Sequence, residues 1–263
     1  MHPNRPNIIA LRDTIARIER SAAAPYARPP LPFGIDPVDA ALGGGLARGA
    51  LHELAGSGAD IHHGAAAAHF AAGILARLHG PVLWVRERHD IFAPGLADAG
   101  LHPDRVVYAQ AGKRDALLVM EEGLRHGGLA GVVAEFSGRL SLSASRRLQL
   151  AAEASGVTAL LLRRPGNGET ELAGAMAAVT RWRIGVLPSA PPIPEAPDVP
   201  GLGRARWRLD LLRCRGGRTG SWMVEACDAA GRLDLVAPLA DRPAAQIPGP
   251  KHAPKHTRSR AAA

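Results

Sequence analysis

Residues 33–56 read FGIDPVDAALGGGLARGALHELAG. A short helix is expected over Ile35 to Leu42, capped by Asp36, with Pro37 at its first position. Gly43-Gly44-Gly45 ends it. Ala50 to Leu54 is apolar enough for a buried strand, and Gly56 opens the loop that follows. An alanine-rich helix follows that loop; its apolar stretch, Ala65 to Leu78, is interrupted by His69 and Arg77.

Outward from this stretch the chain alternates strands and helices. Val82 to Val85, Val106 to Tyr108, Gly131 to Phe136 and Thr158 to Leu162 read as buried strands. Arg114 to His126 and Ser143 to Ser155 read as helices between them. That order predicts an α/β domain with a mostly parallel sheet covered by helices. The pattern then changes. Thr180 to Leu187 is a strand, 188–200 is proline-rich, and Arg204 to Leu212 with Ser221 to Cys227 form a β-hairpin around Gly216 to Gly220. Trp207, Leu209 and Leu211 alternate with Arg206, Arg208 and Asp210, so one hairpin face is apolar.

Towards the N-terminus, residues 1–20 carry an amphipathic helix, with Ile8, Leu11, Ile15 and Ile18 in one stripe. Residues 21–32 are a linker. The expected organisation is this helix, the linker, a core over 33–236 and a disordered basic tail over 237–263. No run approaches the ~18 apolar residues of a membrane span, and no signal pattern opens the chain, so a cytoplasmic protein without membrane contact is expected. Cys214 and Cys227 are expected as reduced thiols. The net charge is +8. From Gly201 onward there are 12 Lys plus Arg against 5 Asp plus Glu; the preceding residues hold 20 against 19. A C-terminal excess of this kind can attract phosphate backbones.

The Phe33–Gly56 stretch resembles the segment leading into the nucleotide site of RecA-family recombinases. There, a helix ending in an Ala-Leu-Gly-Gly-Gly-Leu type turn precedes the strand that runs into the Walker A loop. The resemblance spans Phe33 to Cys227 in element order and implies a RecA-like fold. A working loop reads G-x-x-x-x-G-K-[S/T], with backbone N–H groups and the lysine on phosphates and the hydroxyl on Mg²⁺. Counted from Gly56, the second glycine falls on Ile61, the lysine on His62 and the hydroxyl on His63. Ile61 adds a Cβ to a tight path, His62 is mostly neutral near pH 7, and His63 is a poor Mg²⁺ ligand. No ATPase activity and no cofactor are therefore expected.

Glu135 ends its strand where a Walker B acid would stand. Glu87 follows its strand near the position of the water-activating glutamate. Each reads either as a catalytic remnant or as a locally bonded acid. His52, His62, His63 and His69 have irregular spacing, which argues against a metal site. The loop Pro165 to Glu171 resembles the place of RecA's second DNA-binding loop. Arg163, Arg164, Arg181 and Arg183 flank it, and Trp182 reads either as a base-stacking ring or as core. Arg204, Arg206, Arg208, Arg213, Arg215 and Arg218 give the hairpin a basic surface for DNA or a partner.

A RecA-like domain with a degenerate loop, an arginine-rich hairpin and a basic tail is similar to ImuA, a family of bacterial damage-inducible mutagenesis proteins. The resemblance implies a non-catalytic adaptor in SOS-induced, error-prone translesion synthesis. It would act with an ImuB-like protein and an error-prone polymerase α subunit, with RecA and single-stranded DNA as further candidate partners. Two alternatives are a SulA-like cell-division inhibitor and a RecA-type ATPase.

Overall fold

A computed structural model describes residues 28–164, 172, 174–193, 195, 196 and 198–236. The N-terminal stripe, the Pro165 to Glu171 loop and the basic tail lie outside the described residues. The helices are α1 (Asp36–Leu42), α2 (Asp60–Ala76), α3 (Ala93–Ala97), α4 (Ala116–Arg125) and α5 (Leu142–Ser155), with a 3₁₀ turn at Pro103–Arg105. The strands are β1 (Leu51–Gly56), β2 (Val82–Arg86), β3 (Val106–Gln110), β4 (Gly131–Phe136), β5 (Thr158–Arg163), β6 (Thr180–Leu187), β7 (Arg206–Cys214), β8 (Gly220–Glu225) and β9 (Asp234–Leu235).

All strands join one sheet in the order β3-β2-β4-β5-β1-β6-β7-β8-β9. The first six strands run parallel. From β6 onward neighbours are antiparallel, and a tight turn joins β7 to β8. β1 is central and all six of its residues are buried. That is why its sequence lacks alternation: a strand covered on both faces has no solvent side.

The sheet separates two cores. On one face α1 and α2 pack over Leu54, Trp84, Leu162, Trp182, Trp207 and Leu209. On the other, Met120 of α4 and Leu148 of α5 cover Leu51, Val132 and Leu161. Phe33, Phe70 and Trp182 meet with ring centroids 5.6–5.8 Å apart. In β7, Trp207, Leu209 and Leu211 are buried while Arg208 is exposed, as the alternation requires.

The start of α1 differs from expectation. Ile35, not Asp36, is the cap residue, and its side chain makes no capping bond. The turn is held instead by Asp39, whose carboxylate accepts from the Phe33 and Gly34 amides at 2.7 and 2.9 Å. Gly43, Gly44 and Gly45 all have positive φ. At Gly45 a Cβ would also lie 2.6 Å from the Leu31 carbonyl, so the strand-like bridge between Leu31 and Leu46 needs glycine there.

The C-terminus of α2 is tied by Arg105. Its guanidinium donates to the carbonyls of Ala76 at 3.1 Å, Leu75 at 3.3 Å and Gly80 at 2.8 Å, and also to Leu78. A cation on the last carbonyls satisfies orphan acceptors and opposes the helix dipole. Arg105→Ala is expected to destabilise the fold by about 2 kcal/mol, since bonds to charged donors contribute about 1.5–3 kcal/mol each but solvent replaces part of them. A urea unfolding midpoint checks this, and Arg105→Lys should recover part of the loss.

Candidate functional site

The carboxyl ends of β1, β2, β4 and β5 converge beside the N-terminus of α2. In a parallel α/β sheet this is where ligands bind. A helix N-terminus carries unpaired N–H groups and a partial positive charge, which suits a phosphate.

Here the loop between β1 and α2 is only Ser57, Gly58 and Ala59, and α2 begins at Asp60. Ile61, counted above as the second glycine, already lies in the helix and is 88% exposed. His62, at the lysine position, is exposed on the first turn. His63 turns back against the loop. Its Nδ1 accepts from the Val186 amide at 3.1 Å and lies 3.4 Å from Ser57 Oγ. A Cβ on Gly56 would come 2.7 Å from His63 Cβ, and one on Gly58 3.1 Å from His63 Cδ2. Both glycines therefore make room for an imidazole.

The anion at the start of α2 is the chain's own Asp60 carboxylate, in the first helical turn. Arg164, from the end of β5, donates through Nε to Asp60 Oδ2 at 3.0 Å, and its Nη2 lies 2.8 Å from the same oxygen. Nη2 also donates to Asp90 Oδ2 at 2.6 Å. Nη1 stands 3.7 Å from Glu135 Oε2. Arg88 adds a second cation, 3.3 Å from Asp60. Three carboxylates and two guanidiniums thus share the space beside the α2 N-terminus.

Glu135 is fully buried and accepts from the Trp84 indole N–H at 3.2 Å. Its Oε2 has no hydrogen bond. Burial raises its pKa; Arg164 and Trp84 pull it down, and Asp90 and Asp60 push it up again. Burial lowers the pKa of Arg164, but Glu135, Asp60 and Asp90 outweigh that and raise it, so Arg164 stays charged. Glu87 lies elsewhere. Its carboxylate accepts from the Ser137 amide at 3.1 Å and hydroxyl at 2.7 Å, tying the end of β2 to the end of β4.

A second ionic group crosses the middle of the sheet. Glu53 on β1 is 3% exposed. It binds Arg181 on β6 at 2.5 Å and lies 3.6 Å from Arg163 on β5. Arg163 also donates to the Gly138 carbonyl and stacks over Phe136. His52, also on β1, bridges Thr180 Oγ1 and the Ala47 carbonyl. Burial holds its pKa down at about 4, so it is neutral at pH 7.

Other residues singled out in the sequence take structural positions. Trp182 is fully buried and donates to Thr180 Oγ1, which removes its ring from any stacking surface. Arg204 pairs with Asp234 and Glu225, Arg206 with Glu225, Arg208 with Asp210 and Arg215 with Glu153. Arg213 donates to the Met176 carbonyl at 2.7 Å. Arg218 is exposed at the hairpin turn, and its amide donates to the Ala41 carbonyl. Asp60, Arg88 and Asp90 were not singled out, although an acid in the first turn after a loop is a readable signal. Among the described residues no cluster of His, Cys, Asp and Glu is arranged to hold a metal ion, and no helix is long and apolar enough to cross a membrane.

Over 227 residues the chain is 40% identical to Protein ImuA of Caulobacter vibrioides, in two strains, covering 81% of this chain and 91% of the relative. The chain belongs to the ImuA family. No family model matches it. The fold is similar to that in the crystal structure of the RadB recombinase, with a TM-score of 0.53 at 16% identity, covering 79% of this chain and all of the other. This ImuA-family chain is therefore RecA-like in fold. The arrangement that marks it is Arg164 between Asp60, Asp90 and Glu135.

Proposed function

We propose that this protein is a non-catalytic RecA-like adaptor in damage-induced, error-prone translesion synthesis, acting with an ImuB-like protein and an error-prone polymerase α subunit. The observation that carries the non-catalytic part is the filled seat beside α2. Asp60 occupies the anion position, and a triphosphate brought there meets Asp90 and Glu135 as well. Displacing Arg164 from three carboxylates would leave buried negative charge unpaired, at several kcal/mol. The loop also lacks the lysine and the hydroxyl. Family membership supports the role in mutagenesis.

The hairpin supports protein contact over nucleic-acid contact. Four of its arginines already face carboxylates. Exposed apolar side chains flank them: Leu202 is 88% exposed and Met223 49%. Apolar groups rimmed by satisfied charges suit a protein partner. We assign the ImuB-like contact to the part of the chain from Gly201 onward. RecA and single-stranded DNA are secondary candidates.

Affinity purification from cells after DNA damage tests the reading. A polymerase-like protein and a polymerase α subunit should co-purify with the tagged chain, and Met223→Asp should reduce that yield about tenfold, a change of ~1.4 kcal/mol in binding. Recovery of the tubulin-like division protein in their place would select the division-inhibitor reading.

A further inference from the structure

Away from the site, α4 and α5 lie side by side over the sheet. They lead into the neighbouring parallel strands β4 and β5, so both helices run the same way. Arg147 of α5 stands 3.2 Å from Glu121 of α4 and fixes their register. Glu121 also pairs with Arg125 at 2.9 Å. Leu118 lies one turn before Glu121 and Leu150 one turn after Arg147, so both share the outer face with that bridge. Leu118 is 55% exposed and Leu150 63%. Beyond Arg147 a shallow hollow of about 440 Å³ opens between the helices, with Ala151 and Ala154 in its lining. One face thus carries a projecting leucine at one end and an alanine-lined hollow at the other.

The charges on this face cancel. α4 and α5 together hold Glu121, Glu122 and Glu153 against Arg125, Arg146 and Arg147. A polyanion finds no surplus cation here, and a strongly charged partner finds no opposing field. Two copies of a chain of net charge +8 repel one another in general, but across a neutral face, acidic on α4 and basic on α5, they do not. We infer that this face pairs with the same face of a second copy about a two-fold axis, with Leu118 of each molecule seated in the Ala151–Ala154 hollow of the other. Leucine and hollow lie on one face, so the contact closes as a dimer; on separate faces they would build an open chain. The helices have 10 and 14 residues, and at 1.5 Å per residue they are about 15 and 21 Å long. Two helices of that length offer less than the roughly 800 Å² per partner of a standard interface. The dimer is therefore weak, with dissociation in the micromolar range. The inference stands on this face alone and is independent of the translesion role.

Sedimentation equilibrium of the full chain tests it. The parent should dimerise reversibly. Leu118→Gln removes the leucine and Ala154→Arg fills the hollow; each should raise the dissociation constant at least about tenfold. Both positions are exposed, so the urea midpoint should stay where it is. Mild oxidation of the Leu118→Cys/Ala154→Cys chain gives a second readout. The two positions lie about 15 Å apart along the helices, too far to bridge within one molecule. Linked dimers and nothing longer are expected, against a parent blank that keeps Cys214 and Cys227. A ladder of longer species would mean an open head-to-tail contact and overturn the two-fold pairing. A parent that stays monomeric up to several hundred micromolar, or a dimer indifferent to both variants, would overturn the inference. If the monomeric parent instead loses a co-purifying protein on Leu118→Gln, the face belongs to that partner and not to a second copy.

Discussion

Arg164→Gln is expected to destabilise the protein by about 3–5 kcal/mol, the range for removing one partner of a buried ion pair. The guanidinium is 9% exposed and is the common partner of Asp60, Asp90 and Glu135. Glutamine fills similar space and keeps a donor, so the loss reports the charge. The effect should depend on pH with a definite sign. Glu135 has a raised pKa in the folded state, chiefly from burial. A carboxyl raised on folding contributes stability below its unfolded pKa and loses it as pH rises through the folded value. Without Arg164 that value climbs further. The variant should therefore be hurt more at pH 7 than at pH 5, and Glu135→Gln added to Arg164→Gln should restore part of the stability at pH 7. Urea unfolding at the two pH values decides it: a deficit that does not change with pH would mean that packing, not charge, explains Arg164.

The second large effect is expected at Glu53. Glu53→Ala leaves Arg163 and Arg181 facing one another beside β1 without their shared anion. Both are nearly buried, with side-chain exposures of 10% and 13%. Burial already lowers the Arg163 pKa, Glu53 counters it, and Arg181 lowers it further. About 3–5 kcal/mol is again expected. Glu53→Gln, which keeps an acceptor for Arg181 but no charge, should fall between Ala and the parent. The denaturant midpoint measures both. A Glu53→Ala variant as stable as the parent would show that the two arginines find solvent or other carbonyls.

The sequence made the parallel core legible for a physical reason. β4 and β5 are mostly apolar, with Glu135 and Arg163 only near their carboxyl ends, because both faces are covered, and glycines mark the turns at the ends of α1 and α5. The hairpin was legible because Trp207, Leu209 and Leu211 alternate with charged residues above a single covered face. Three short elements were hidden. α3 has only five residues and contains Pro94 and Gly95, which read as loop. The 3₁₀ turn at Pro103–Arg105 and the two-residue β9 are too short for any periodicity.

At the site, the absence of a lysine and a hydroxyl was legible, and what stands in their place was not. Counting a fixed loop length from Gly56 put a glycine position on Ile61, whereas α2 starts one residue earlier, where Asp60 supplies its own anion. Arg164 reaches Asp60 across 104 residues of sequence and Arg181 reaches Glu53 across 128, and no local pattern encodes pairs so far apart. The same limit explains the arginines of the hairpin. Composition counts cations, but only the register that sets Arg208 beside Asp210 and Arg206 opposite Glu225 tells which of them are matched.

In the proposed reading the chain's own ions fill the nucleotide seat. Calorimetric titration of the full chain with Mg·ATP, run beside a phosphate-release assay, separates a filled seat from an open one. No saturable heat is predicted at roughly 1 mM nucleotide, an affinity weaker than about 4 kcal/mol, with phosphate release at background. Saturable one-to-one binding of Mg·ATP that Arg164→Gln alters, or turnover that requires His62, would contradict it.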